Sequence, residues 1–202
     1  MEEHTLESLC KQVMQRIGVE MEASGRHVHL TKAQAIALFG HHLTPERELS
    51  QPGQFLAKER VTVVGPKGEF KNVAVLGPER NEAQVEISVT DGRVLGIKPP
   101  IRLSGMVKDT PGVCLRSEKG EITLSKGVIA AQRHIHMTPE DAARFGVKDK
   151  QVVKLETYTD RPVIFGDTVV RVSPNFRTRV HLDFDEANAC GFSLGDFGRI
   201  LL

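Results

Sequence analysis

The sequence repeats one short histidine phrase. Arg-His-Val-His-Leu-Thr occupies residues 26–31, and Arg-His-Ile-His-Met-Thr occupies residues 133–138. In an extended strand, residues i and i+2 point to the same face, so each phrase presents two imidazoles on one face and an apolar side chain on the other. Paired imidazoles commonly bind transition metals. The repeat predicts two related half-domains that each contribute ligands to a shared metal site.

Two further side chains could complete such a site. His181 alternates with Val180 and Leu182, which places it on the polar face of a predicted strand. Glu86 lies on the polar face of a strand predicted over residues 84–90, where a plain solvent-facing carboxylate is the equal alternative. Five histidines and one glutamate would supply three protein ligands to each of two metal ions. Three ligands leave a position for water or substrate, which is typical of catalytic zinc.

A cationic side chain is predicted at the entrance of the strand that carries Glu86. The turn Gly77-Pro78-Glu79-Arg80-Asn81 projects Arg80, whose guanidinium could bind a phosphate through paired hydrogen bonds. From the local pattern alone, a surface arginine is the simpler interpretation. The sequence contains neither a glycine-rich phosphate loop nor a Gly-x-Ser-x-Gly elbow, and its cysteines occupy no recognisable activating motif.

Composition excludes several classes of protein. The chain has 202 residues, 40% of them hydrophobic and 26% charged, with a formal net charge of +1. This near-neutral balance gives no basic field for nucleic acid, and no apolar run approaches the length of a membrane span. The first residues lack a secretory apolar core. Three scattered cysteines are typical of a reducing cytoplasm, where we expect the protein to reside.

The elements that must position these residues also repeat. Each histidine phrase ends in a threonine suited to begin a helix, and Gly40 or Gly146 follows about two turns later. Most other segments read as short strands joined by glycine-containing turns. We therefore predict a mainly β fold of two β-barrel domains with short helices and an internally duplicated His-x-His strand unit. The predicted domains are 19–115 and 116–202, preceded by an N-terminal segment, 1–18.

The N-terminal segment contains a predicted amphipathic helix over residues 5–17. Thr5 can begin this helix, apolar residues recur at helical spacing, and Gly18 can end it. The helix could pack on the body of the protein, or it could dock on a partner as a detachable tag. Periodicity does not separate these interpretations.

Five motifs occur in an order that resembles one enzyme family. They are Arg26-His27-Val28-His29-Leu30, Gly77-Pro78-Glu79-Arg80, Gln84-Val85-Glu86-Ile87-Ser88, Arg133-His134-Ile135-His136-Met137 and His181-Leu182-Asp183 with Asp185-Glu186-Ala187-Asn188-Ala189. The set resembles the phosphate propanoyltransferases, the phosphotransacylases of bacterial propanediol-type microcompartments. The resemblance covers the chain from about residue 20 onward, and five ordered motifs are far more specific than any one of them.

The resemblance implies both a reaction and a site. It implies reversible transfer of an acyl group, here propanoyl, between coenzyme A and inorganic phosphate, in a fold of two β-barrels with a dinuclear zinc site between them. One zinc ion would be held by His27, His29 and Glu86. The other would be held by His134, His136 and His181. Arg80 matches the family's phosphate-positioning arginine.

The resemblance also bears on localisation. Some members carry an amphipathic N-terminal helix that directs them into the microcompartment lumen, and residues 5–17 are similar to it. We accordingly expect a place in the lumen and a shell protein as partner. The linker that often follows such a tag is missing, because Gly18 leads almost directly into the first strand. We further expect a homodimer or higher homo-oligomer, with no nucleic-acid or membrane partner.

Two other functions fit the same ligand pattern. A zinc-dependent hydrolase of an ester, amide or thioester would use the same residues and differ only in its nucleophile. A non-catalytic zinc-stabilised assembly module would instead close each site with a fourth ligand. Phosphate-independent release of coenzyme A would identify the hydrolase, and the absence of turnover would identify the assembly module.

Overall fold

The chain folds into two compact units. The computed structural model describes residues 8–9, 13–14 and 16–202. Gly25–Gln132 forms one unit, which we call the sheet unit. The residues before Gly25 and those of Arg133–Leu202 together form the other, which we call the barrel unit. The sheet unit is therefore an insertion, in sequence, between two parts of the barrel unit.

Short strands make up most of the regular secondary structure. In chain order they are β1 (Val19–Ser24), β2 (His27–His29), β3 (Pro45–Glu48), β4 (Phe55–Val64), β5 (Glu69–Gly77), β6 (Gln84–Glu86), β7 (Ile101–Arg102), β8 (Val113–Arg116), β9 (Glu121–Leu124), β10 (Val128–Ala131), β11 (His134–Met137), β12 (Val152–Tyr158), β13 (Ile164–Val172), β14 (Arg179–Asp183) and β15 (Phe197–Leu201). Between them lie the helices α1 (Lys32–Phe39), α2 (Val89–Leu95), α3 (Pro139–Phe145) and α4 (Phe184–Cys190).

The sheet unit is built on a curled nine-stranded sheet. Its described strands follow the order β7-β10-β6-β2-β5-β4-β8-β9, and β3 pairs with β4. The short strand β2 lies between β6, which runs antiparallel to it, and β5, which runs parallel. Apolar side chains including Val28, Leu30, Val75 and Leu115 form the core of this unit. The central position of β2 explains why all three of its residues are buried.

The barrel unit is a closed barrel. Its six described strands follow the order β1-β14-β11-β13-β12-β15, and β15 returns to pair with β1. Strand β11 runs antiparallel to β14 and parallel to β13. Met21, Ile135, Leu155 and Leu182 belong to its apolar core. The predicted mainly β fold with short helices is confirmed, with one unit a closed barrel and the other a curled sheet that the described strands leave open.

Each histidine strand leads into a short helix, as the repeat predicts. Thr31 is the N-cap of α1 and Thr138 is the N-cap of α3. Each threonine side chain accepts a hydrogen bond from the backbone N–H of the third residue of its helix. Gly40 and Gly146 end these helices in the left-handed conformation that glycine adopts without steric cost. The caps fix the point at which the chain leaves each histidine strand.

Two details of the predicted organisation differ from the structure. The strand predicted over residues 84–90 ends at Glu86, and helix α2 begins at Val89. The reason is a capping box, in which Ser88 and Asp91 satisfy each other's backbone N–H groups. The two compact units also divide the chain differently from the predicted boundary between residues 115 and 116. Strand β1 pairs with β14, while β8 to β10 pair within the sheet unit.

Part of the predicted N-terminal helix is described. Residues 8–9, 13–14 and 16–17 are helical, and the Gly18 N–H donates to the Met14 carbonyl at 2.8 Å. The remaining residues of the predicted 5–17 helix, residues 5–7, 10–12 and 15, lie outside the described residues, as does His4. Among the helices that the structure describes, none combines the length and the apolar character that crossing a membrane requires.

Candidate functional site

Three predicted ligands meet in the sheet unit. His27 and His29 lie on β2, and the antiparallel register places Glu86 of β6 directly opposite His27. The Glu86 Oε1 atom is 3.6 Å from His27 Nε2 and 4.0 Å from His29 Nε2. One donor atom from each residue lies within 4.8 Å of the other two, and all three residues are buried. We call this group the sheet-unit cluster.

Backbone carbonyls orient both imidazoles of the sheet-unit cluster. His27 Nδ1 donates to the Gly25 carbonyl at 2.8 Å, and His29 Nδ1 donates to the Leu76 carbonyl at 3.2 Å. A carbonyl only accepts, so the hydrogen of each neutral ring is on Nδ1 and the lone pair is on Nε2. Both Nε2 atoms face Glu86. This arrangement of carbonyl-anchored imidazoles is typical of metal-ligating histidines.

A polar network connects the sheet-unit cluster to Arg80. The buried Gln84 side chain donates to Glu86 Oε1 at 2.5 Å and to Ser104 Oγ at 2.8 Å. Ser104 Oγ also accepts from Arg80 NH1 at 3.1 Å, and the Arg80 backbone N–H donates to the Leu30 carbonyl at 2.8 Å. The network therefore fixes both the Glu86 carboxylate and the guanidinium of Arg80.

Charges in the sheet-unit cluster affect its two imidazoles in opposite directions. Burial disfavours the charged form of His27, but the Glu86 carboxylate outweighs burial and raises the pKa of His27. Burial and the positive charges of His27 and Arg80 hold the pKa of His29 well below its ordinary value. His29 is therefore neutral at physiological pH, which is the form that binds a metal.

Three histidines meet in the barrel unit. His134 and His136 lie on β11, and the antiparallel register places His181 of β14 directly opposite His134. His136 Nδ1 and His181 Nε2 are 3.1 Å apart, and the ring centroids of the three pairs are separated by 4.7 to 5.1 Å. One nitrogen from each ring lies within 4.8 Å of the other two. We call this group the barrel-unit cluster.

Carboxylates on β1 lie beside the barrel-unit cluster. The parallel register places Glu22 next to His181, with Glu22 Oε2 at 4.0 Å from His181 Nδ1. Arg179 donates from Nε to Glu22 at 3.2 Å and lies 3.1 Å from Glu20. His181 thus has one ring nitrogen towards the other two histidines and the second towards a carboxylate, the arrangement that orients metal-bound imidazoles.

The two clusters share one construction. In each, the first histidine of a His-x-His strand faces the third ligand across an antiparallel pair, and a parallel strand flanks the other side. The donor sets, two imidazoles with a carboxylate and three imidazoles, both match catalytic zinc sites with three protein ligands. Close spacing of the donor atoms fits a bound metal ion in both clusters, and five of the six residues are buried.

The structure brings the six predicted ligands together in two groups and connects Arg80 to one group through Ser104 and Gln84. His41 and His42, which belong to neither cluster, are exposed. Asp183 is the N-cap of α4. Sequence reasoning missed the network role of Gln84 and Ser104. The signal for Gln84 was its place on the polar face of β6 beside Glu86, whereas no local pattern marks Ser104.

Comparisons with known proteins agree with the motifs. Residues 20–193 match the model of the phosphate propanoyltransferase family. The chain is 55% identical over 192 residues to the phosphate propanoyltransferase of Enterococcus faecalis, with 94% of this chain and 91% of that protein covered. It is 53% identical to that of Leptotrichia buccalis, with 99% of both chains covered. It is 47% identical to that of Thermotoga maritima, with 96% and 93% covered.

The match spans both clusters and the Arg80 turn, because the family model begins before β2 and ends after α4. Identity near one half over almost the whole length of each relative leaves no large part of the chain outside the comparison. The chain therefore belongs to the phosphate propanoyltransferase family of acyltransferase enzymes.

Proposed function

We propose that this protein transfers a propanoyl group reversibly between coenzyme A and inorganic phosphate with the help of two zinc ions. His27, His29 and Glu86 would hold one ion, and His134, His136 and His181 the other. The observation that carries the proposal is the pair of three-residue His/Glu clusters with the same strand register in a member of this family. Propanoyl is the acyl group in the names of the relatives.

The protein's own residues prepare the two binding sites. Carbonyl acceptors hold the Nδ1 hydrogens of His27 and His29, which leaves the Nε2 lone pairs towards Glu86. Glu22 lies beside His181 Nδ1, the ring nitrogen that does not face the other two histidines. When bound, zinc would act as a Lewis acid that polarises the thioester carbonyl and stabilises the departing thiolate.

Arg80 would bind and position phosphate. In the forward reaction a phosphate oxygen forms a bond to the thioester carbonyl carbon, the carbon–sulfur bond breaks, and coenzyme A leaves as the thiolate. The acyl group ends on phosphate, so no covalent link to the protein is required. The guanidinium, held by Ser104, can donate two parallel hydrogen bonds to phosphate oxygens. Good orientation of two reactants can contribute about 7–11 kcal/mol to lowering the barrier.

One experiment separates this function from its alternatives. The purified protein would be analysed for metal and then incubated with propanoyl-CoA, with and without phosphate, while thiol release is followed. We expect two zinc ions per chain and thiol release that requires phosphate and zinc. Release without phosphate would identify a hydrolase. Full activity after removal of zinc by dialysis against a chelator would refute the zinc role.

A variant tests the role of Arg80 separately. We expect Arg80→Gln to lower turnover with phosphate by about 10²-fold, the cost of losing one preorganised charge-stabilising donor, with its zinc content unchanged. Arg93→Gln is a matched control, because Arg93 is exposed on helix α2 of the same unit. Loss of zinc in Arg80→Gln would instead show that Arg80 maintains the structure of the cluster.

We also propose that the N-terminal helix directs the enzyme into a microcompartment by binding a shell protein. Leu9, Val13 and Ile17 recur at helical spacing and are 56%, 49% and 47% exposed. An exposed apolar stripe of this kind is what a helix-in-groove partner recognises. A fluorescent protein fused to residues 1–18 should enter microcompartments, and replacing the three apolar residues by serine should abolish entry. Uniform cytoplasmic fluorescence of the unaltered fusion would refute the proposal.

A further inference from the structure

Each histidine phrase begins with an arginine that neither cluster uses as a ligand. Arg26 directly precedes His27, and Arg133 directly precedes His134. The repeat thus includes a cation at the same distance from the first histidine in both units. Both arginines contact an acidic side chain in the first turn of a helix.

Arg26 binds helix α2, which follows β6, the strand that carries the third proposed ligand of the sheet-unit cluster, Glu86. Its Nε donates to Asp91 Oδ2 at 3.0 Å and its NH2 donates to Asp91 Oδ1 at 2.7 Å, so the pair is bidentate. The guanidinium carbon lies 4.1 Å from the centroid of the Phe70 ring. Asp91 is the third residue of α2 and also accepts the backbone N–H of Ser88 in the capping box. Arg26 therefore holds the first turn of α2.

Arg133 makes the corresponding contacts in the barrel unit. Its NH1 donates to Glu186 Oε1, its Nε donates to the Gly166 carbonyl at 2.7 Å, and its guanidinium carbon lies 5.5 Å from the centroid of the Phe165 ring. Glu186 is the third residue of α4 and accepts the backbone N–H of Asp183 in a second capping box. Arg133 therefore holds the first turn of α4.

The two helices follow the two third-ligand strands with the same spacing. Glu86 lies two residues before the N-cap Ser88, and His181 lies two residues before the N-cap Asp183. Each arginine thus connects a His-x-His strand to the chain directly after its third ligand. Arg26 is bidentate to Asp91, whereas Arg133 contacts both Glu186 and the Gly166 carbonyl. Each planar guanidinium also lies near an aromatic ring, and lysine cannot reproduce such paired contacts.

We infer that Arg26 and Arg133 are positioning residues, each of which sets the third ligand of its own cluster: Arg26 positions Glu86, and Arg133 positions His181. This inference rests on the proposed function, since it assumes that both clusters bind zinc. Residues that orient metal ligands typically change metal affinity by about 10–100-fold when they are replaced. The effect of each arginine should therefore be confined to one of the two ions.

The test measures zinc affinity ion by ion. The variants are Arg26→Lys and Arg133→Lys, with Arg93→Lys as the matched control. Zinc dissociation constants come from competition with a chromophoric chelator, in the full chain and in a His27→Ala background that lacks the sheet-unit ion. Unfolding of the zinc-free proteins is followed in parallel, so that a general loss of stability is measured rather than assumed.

We expect Arg26→Lys and Arg133→Lys each to lower the zinc affinity of one cluster by about 10–100-fold. In the His27→Ala background, Arg133→Lys should still lower the zinc affinity of the barrel-unit cluster, whereas Arg26→Lys should leave that affinity unchanged. Asp91→Asn removes the other end of the Arg26 contact, so the double variant with Arg26→Lys should lose no more affinity than the larger single loss.

The opposite results overturn the inference. Unchanged affinities in both lysine variants, or equal weakening of both ions by either variant, would show that the arginines do not position individual ligands. An unaltered protein that binds fewer than two zinc ions would overturn the proposed function together with this inference. Two tightly bound ions with lysine variants that match the control would overturn the inference alone.

Discussion

Replacing Gln84 by methionine should lower both the stability of the protein and the zinc affinity of the sheet-unit cluster, although Gln84 is not one of the proposed ligands. Gln84 is 2% exposed, and its side chain joins three groups. Its amide nitrogen donates to Glu86 Oε1 at 2.5 Å and to Ser104 Oγ at 2.8 Å, and its amide oxygen accepts from the Gly105 N–H at 2.7 Å. Methionine is similarly long and unbranched, so it should fill the space while losing all three hydrogen bonds.

The magnitude follows from the character of these bonds. A hydrogen bond to a charged group contributes about 1.5–3 kcal/mol, and each of the two neutral ones about 0.5–1.5 kcal/mol. We expect the free energy of unfolding of the zinc-free protein to fall by about 2–4 kcal/mol, because waters or neighbouring groups replace part of the loss. Zinc affinity at the sheet-unit cluster should fall by about 10–100-fold, as for other residues that orient a ligand.

The assay combines urea unfolding of the zinc-free protein with chelator competition. Gln151→Met is a suitable control, because Gln151 of the barrel unit accepts the Lys148 N–H at 2.9 Å. The control should lose some stability and retain the zinc affinity of the sheet-unit cluster. An unchanged zinc affinity in Gln84→Met, together with the expected loss of stability, would refute the argument that Gln84 orients Glu86.

Three further predictions concern stability. Burial would raise the pKa of Glu79, but hydrogen bonds from the Leu43 backbone and the His42 ring outweigh it and lower that pKa from its ordinary value of 4.5. The stabilisation is therefore present above the unfolded-state pKa and is lost as pH falls through the lower folded-state pKa, so Glu79→Gln should flatten the acid limb of unfolding free energy against pH. Gly65→Ala should cost about 1–3 kcal/mol in urea unfolding, since its Cβ would lie 2.3 Å from the Leu95 carbonyl oxygen; an unchanged midpoint would contradict this. Ile135→Ala, at a side chain that is 0% exposed, should cost about 2–5 kcal/mol by the same measurement, and a loss below 1 kcal/mol would show that the barrel core refills the cavity.

Local pattern was sufficient to predict the two histidine-bearing strand faces. The alternation of histidine with an apolar residue in 27–29 and 134–136 correctly predicted paired imidazoles on one face, because the strand period of two does not depend on the neighbouring strands. Threonine and glycine signals likewise located α1 and α3, since capping depends on residues within one turn.

Long-range pairing could not be predicted in the same way. The register that brings Glu86 opposite His27 depends on which strands become neighbours, and the two lie 59 positions apart in the sequence. The alternation over residues 84–90 also continued beyond the real strand end, where the Ser88–Asp91 capping box favours a helix. The arginine of each repeat was visible in the sequence, but its carboxylate partner was not, because Asp91 and Glu186 are distant along the chain.

The insertion of the sheet unit between β1 and β11 has a consequence for the order of folding during synthesis. Strand β1 leaves the ribosome first, yet its partners β14 and β15 are the last strands made. At about 5–20 residues per second, β1 would wait on the order of ten seconds or more for them. The sheet unit is continuous in sequence and can fold within that interval. Nascent chains should therefore acquire the His27, His29 and Glu86 cluster before closure of the barrel brings His134, His136 and His181 together.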